Sequence, residues 1–132
     1  MTTALNPEPP DGAASLPVTL DARAVSRLRE LDPDGRHGVL QRVFTAFETS
    51  LMRMLVQLGA EHENGDAGVV ASVAHTLKSS SASVGALQLS KACAEVERRL
   101  HDQAPGDLQA DVAKLLAAGE SALVAVRAML RG

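Results

Sequence analysis

At 132 residues the chain has room for one domain rather than two, and it can bury a core if its elements are long. Alanine, leucine and valine dominate, two phenylalanines are the only Phe, Tyr or Trp residues, and no window keeps strand-like alternation, which excludes a β-rich fold and favours an all-α one. The formal net charge of −3, with acids and bases interspersed, offers no basic stripe to nucleic acid, and no run of about 18 apolar residues is present to cross a membrane. With one cysteine and no basic start leading into an apolar signal core, the expectation is a cytosolic (cytoplasmic), soluble monomer.

In chain order, residues 1–17 hold Pro7, Pro9, Pro10, Gly12 and Pro17 with few large apolar side chains. Such a stretch cannot repay the entropy of ordering, so a flexible leader is expected there and a single helical domain over 18–132. A short first helix, capped by Thr19 or Asp21, has Ala24, Val25, Leu28 and Leu31 on its apolar edge. It stops at Asp32-Pro33-Asp34-Gly35. The second helix is predicted from about Arg36 to Glu61, with Leu40, Val43, Phe44, Phe47, Leu51, Met54, Leu55 and Leu58 recurring at helical spacing.

After a break at Glu63-Asn64-Gly65-Asp66, with Asp66 as cap, the third helix carries Val70, Val73, Leu77, Ser81 and Val84 within roughly 60° of arc. Gly85 closes it in a left-handed cap. The fourth is predicted from about Leu87 to Asp102, with Leu89, Cys93, Val96 and Leu100 inward. Beyond Ala104-Pro105-Gly106-Asp107 a fifth presents Leu108, Val112, Leu115, Leu116, Leu123, Val126 and Leu130, and Gly119 inside it permits close packing at some cost in helix propensity. Four long amphipathic helices with short connections make an antiparallel up-down-up-down four-helix bundle, the additional short N-terminal helix lying over it as a lid.

The chemistry concentrates on the third helix. His75 sits about 170° from the centre of the apolar seam and therefore faces solvent. Its neighbours on that side are Ala71, Ser72, Lys78, Ser79 and Ala82, four of them small enough to let another protein's surface approach, which makes those four the candidate docking residues. An exposed neutral imidazole is a nucleophile with a free lone pair, and Lys78 at i+3 can pair with the oxygens of a phosphoryl group placed on it. Glu97 lies about as far beyond the Gly85 turn as His75 lies before it, at the margin where the two helices meet. Its carboxylate can hold one imidazole N–H and fix the tautomer; the alternative is a solvated acid paired with Lys91, Arg98 or Arg99.

No second ligand stands at i+3 or i+4 from His75, so no metal site is expected. Ser80 and Ser81 point toward the dry side as packing, Cys93 reads as a buried inert thiol, and His37, His62 and His101 as incidental.

The run His75-Thr76-Leu77-Lys78-Ser79-Ser80-Ser81, followed by Val84-Gly85-Ala86 and Leu89, resembles the motif of histidine-containing phosphotransfer (HPt) domains, H-x-L-K-[GS]-[SA]-[SA] with an aliphatic-Gly pair and a Leu. The wider resemblance covers roughly residues 19–131, and Ser79 stands where many members carry Gly. It implies a helical bundle whose exposed histidine carries phosphoryl groups between aspartates of receiver domains, from hybrid sensor kinase to response regulator. It also implies a Glu or Gln at the offset of Glu97, no cofactor on this chain, and Mg²⁺ supplied by the receiver. Two other functions stay open: a phosphoacceptor for a histidine kinase acting in trans, since the chain has no Gly-rich phosphate loop of its own, and a receiver-binding module that docks receivers without carrying phosphate, as a phosphate sink or competitor.

Overall fold

A computed structural model describes residues 20–132, and the leader expected over 1–17 lies outside the described residues. Five helices follow in order: α1 (Ala22–Glu30), α2 (Val39–Asn64), α3 (Ala67–Val84), α4 (Leu87–His101) and α5 (Leu108–Arg131). Among the described residues there is no strand. α3 packs most extensively on α4 and α2 on α5, while α2–α3 and α4–α5 close the ring and α1 rests on α2 and α3. This is the expected all-α bundle, and adjacent long helices run antiparallel because the connections between them are short.

The core is a column of side chains from all four long helices. Phe44, Leu51 and Leu58 of α2 meet Val70, Leu77 and Val84 of α3, Leu89 and Val96 of α4, and Val112, Leu115 and Val126 of α5, all fully buried. α5 approaches α2 closely where Gly119 faces Leu55, since a Cβ there would come within 2.5 Å of the Leu55 side chain. The glycine therefore trades helix propensity for proximity.

Caps explain most helix limits. Asp21 caps α1 by accepting from the amide of Ala24, Asp66 caps α3 by accepting from Gly68 and Val69, and Asp107 caps α5 by accepting from Gln109. Pro105 lies before that last cap, outside the first helical turn. Gly85 ends α3 with φ of 86°, and a Cβ there would meet the Asp21 amide nitrogen at 2.8 Å. That same amide donates to the Gly85 carbonyl at 2.8 Å, so α1 is tied to the α3–α4 turn that sets the height of the site residues.

Three details depart from the predicted elements. α2 begins at Val39 rather than near Arg36, because Gly38 takes a left-handed conformation (φ 61°) and the chain before it curls around Asp32. The Asp32 side chain turns inward and accepts from the amides of His37 and Val39; burial pushes its carboxyl up, but those amides outweigh it and hold it below the usual value. Leu31, expected on the apolar edge of α1, is the exposed C-cap instead, since the chain sends Asp32 inward in the next position. α2 also runs past Glu61 to Asn64, ending only where Gly65 supplies a left-handed φ of 69°.

Candidate functional site

His75 projects from the middle of α3 opposite its buried face, which is formed by Val70, Val73, Ala74, Leu77, Ser81 and Val84. Its side chain is 71% exposed, while Leu77 two positions on is fully buried. The helix is anchored at both ends, by the Asp66 cap and by Gly85, so the imidazole stands on a fixed stem.

α4 brings Glu97 to it. The Glu97 carboxylate bridges two side chains of α3, one oxygen on His75 Nδ1 at 2.6 Å and the other accepting from Lys78 Nζ at 2.6 Å. Neither Lys91, Arg98 nor Arg99 takes it. At 25% exposure the carboxylate is mostly covered, and the hydrogen bond from Lys78, then that from His75, holds it below the usual carboxylate range despite partial burial. An ionised carboxylate only accepts, so Nδ1 is the donor and carries the proton. The lone pair of the neutral imidazole is then on Nε2, the nitrogen turned away from Glu97. The arrangement is an exposed nucleophilic nitrogen, fixed in tautomer by an acid, with an ammonium one turn along.

Of the four small residues, Ser72 and Ser79 are exposed and Ala71 and Ala82 half-buried, all on α3 around the imidazole. An open groove of about 760 Å³ leads from Lys78 and Glu97 toward the start of α3 and the end of α4, floored by Ala71 and Ala94 and bordered by Arg98 and His101. His101, read from sequence as incidental, thus borders the groove next to the site. The serines after Lys78 do not form a nucleophile set. Ser80 and Ser83 return their hydroxyls to carbonyls of α3 itself, and Ser81 is fully buried with no partner for its Oγ.

Cys93 is buried within the bundle, and burial, reinforced by Glu97 and opposed by Lys78, pushes its thiol up to about 12. It stays a neutral packing group at physiological pH. Among the described residues no three His, Cys, Asp or Glu side chains gather as a metal-binding group. Likewise, among the described residues no helix is long and apolar enough to cross a membrane.

Sequence reasoning missed two contacts. The Lys78–Glu97 pair is not legible from spacing on α3, because it depends on how the lysine side chain leans toward α4. The hydroxyl of Ser90 on α4 donates to the Lys78 carbonyl at 2.8 Å. Its signal was present: Ser90 is seven residues before Glu97 and therefore on the same side of α4.

A family model described as the Hpt domain matches residues 42–131, which includes His75, Lys78, Ser90 and Glu97. The fold is similar to the crystal structure of histidine-containing phosphotransfer protein B (HptB) from Pseudomonas aeruginosa PAO1, with a TM-score of 0.71 over 85% of this chain and 94% of that one. Sequence identity to it is 21%, so that likeness speaks for the fold. No curated protein was found to match the chain.

Proposed function

The chain belongs to the Hpt domain family of histidine phosphotransfer proteins, and from that premise we propose that His75 is the residue that carries the phosphoryl group. The relay runs from an aspartate of one receiver domain, on a hybrid sensor kinase, to an aspartate of another, on a response regulator. The observation that carries the assignment is the hydrogen bond from His75 Nδ1 to Glu97, which leaves Nε2 as the open nitrogen of a 71% exposed ring.

In the forward step the Nε2 lone pair attacks the phosphorus of a receiver's acyl phosphate. The Nε2–P bond forms as the bond between phosphorus and the aspartyl oxygen breaks, and the carboxylate leaves with that electron pair. The imidazole becomes positively charged on Nδ1–H, and Glu97 stabilises that charge as the orienting carboxylate of a histidine does elsewhere. Return transfer reverses the same steps, for which Nδ1–H bound to an anion keeps the neutral imidazole a good leaving group. Lys78 is one turn from His75 and can exchange its Glu97 contact for the phosphoryl oxygens.

The small side chains of Ala71, Ser72, Ser79 and Ala82 let the receiver's acidic pocket close over the ring. The chain acts as a phosphocarrier without kinase activity of its own, needs no cofactor, and leaves Mg²⁺ to the receiver partner. We place it in the cytoplasm as a monomer.

The test is labelling of the purified protein with a phosphorylated receiver and, separately, with ATP alone. Acid-labile label from the receiver, absent in His75→Gln, is the expected result. Label from ATP alone contradicts the carrier reading, and retained receiver affinity without any uptake supports a module that binds receivers without carrying phosphate.

A further inference from the structure

Glu97 is not the only side chain of α4 that reaches α3. Ser90, two turns earlier on the same side of α4, donates its hydroxyl to the backbone carbonyl of Lys78 at 2.8 Å. Among the described residues, Ser90 and Glu97 supply every side-chain hydrogen bond between these two helices, and both close on Lys78. The directions follow from helix geometry. Carbonyls of α3 point toward its C-terminus, where Ser90 sits beyond the Gly85 turn; the Lys78 side chain leans toward the N-terminus, where Glu97 and His75 sit. Lys78 is thereby held at its main chain by one turn of α4 and at its ammonium by another.

We propose that Ser90 is a positioning residue for His75: it fixes the roll of α4 against α3, and with it the place of the Glu97 carboxylate on Nδ1. The proposal rests on the phosphotransfer reading for its functional consequence but not for its geometry. Leu77 and Val84 pack against Leu89, Cys93 and Val96 in the same core cluster, and that contact sets the spacing of the two helices. Apolar contact is non-directional, however, and tolerates a small roll. At a side-chain radius of roughly 6 Å, a roll of about 10° moves a carboxylate by about 1 Å. That displacement stretches a 2.6 Å contact beyond hydrogen-bond range and frees Nδ1 from its donor role. A hydrogen bond is directional, and Ser90 makes one on the same side of α4 as Glu97. The other hydroxyls nearby cannot do this, because Ser80 and Ser83 bond only their own helix.

The experiment compares Ser90→Ala, Ser90→Thr and Glu97→Ala in the full chain by two readouts: the ring-nitrogen NMR shifts of His75, which report the tautomer, and the rate of uptake from a phosphorylated receiver. Alanine is the better helix former, so loss of α4 does not confound the first variant. Ser90→Ala is expected to move the His75 shifts toward a mixture of tautomers and to slow uptake about tenfold, given that a misplacement of 1 Å can cost up to a hundredfold. Ser90→Thr, which keeps the hydroxyl, is expected to restore both. The proposal is overturned if Ser90→Ala leaves the tautomer as in the unaltered chain while Glu97→Ala shifts it, or if Ser90→Thr behaves as Ser90→Ala does. Should the unaltered chain take up no phosphoryl group, the phosphocarrier reading fails on its own, and the tautomer comparison still decides the role of Ser90.

Discussion

α4 faces two neighbours and uses an ion pair on each side to different ends. Toward α3, Glu97 binds His75 and Lys78, with the imidazole 71% and the lysine 39% exposed. Toward α5, only two positions along, Arg99 pairs with Asp111 while its Nη1 donates to the Ala104 carbonyl, and these side chains are 22% and 12% exposed. Gly106 lies so close to Arg99 that a Cβ would meet the guanidinium at about 2.7 Å, so the α4–α5 connection is wrapped on that arginine. One pair is covered and organises chain; the other is left half open and organises a nucleophile. Two charges on one helix thus take opposite roles according to what covers them.

The comparison breaks most visibly at the nucleophile. His75→Gln is expected to reduce phosphoryl uptake to background with little change in melting temperature, because the ring is 71% exposed and, among the described residues, its side-chain hydrogen bond is to Glu97; a phosphotransfer assay beside a thermal melt checks both. Next, Glu97→Ala is expected to slow transfer by roughly 10- to 100-fold, the usual effect of removing a group that orients a histidine. Arg99→Met should do the reverse, lowering the melting temperature through release of Asp111 and the 102–107 connection while the folded protein transfers phosphate at the unaltered rate. If the two variants change the same quantity, the division of labour between the faces is wrong.

Acid titration sharpens the same contrast. The Glu97 carboxyl is depressed in the folded protein, first by Lys78 and then by His75, so its contribution to stability is fully present above the ordinary carboxylate range. It is lost only as pH falls through the lowered folded value. The melting temperature of the natural chain should therefore exceed that of Glu97→Gln at neutral pH, narrow toward it below the ordinary carboxylate range and converge with it only once pH has fallen below the lowered folded value, as melts across pH will report. The smallest effect is expected on the dry side of α3. Ser81→Ala removes a buried hydroxyl with no partner and raises helix propensity, so urea denaturation should show a gain of about 1 kcal/mol with transfer unaffected.

How much of this was legible in sequence depended on range. The exposure of His75 followed from the position of Val70, Val73, Leu77, Ser81 and Val84 around one helix, and periodicity is local. Glu97 was reachable because the α3–α4 connection is two residues, Gly85 and Ala86, so that counting from the turn fixes height. Where a contact depended on how a long side chain leans, as for Lys78 onto Glu97, spacing alone was silent. Asp32 turning inward and Arg99 bridging to Asp111 were equally hidden, since both charges are satisfied by backbone or acid brought in by a loop. The start of α2 at Val39 rather than near Arg36 has the same cause: Asp32, not the helix itself, decides where its first turn begins.

The account stands or falls on which atom takes the phosphoryl group. Incubation with a phosphorylated receiver, followed by phosphorus–nitrogen NMR on the nitrogen-labelled chain, reads that atom directly. A single phosphoryl group coupled to Nε2 of His75 is the predicted result. Coupling to Nδ1, or an acid-stable signal on Ser79, Ser80 or Ser83, would contradict it.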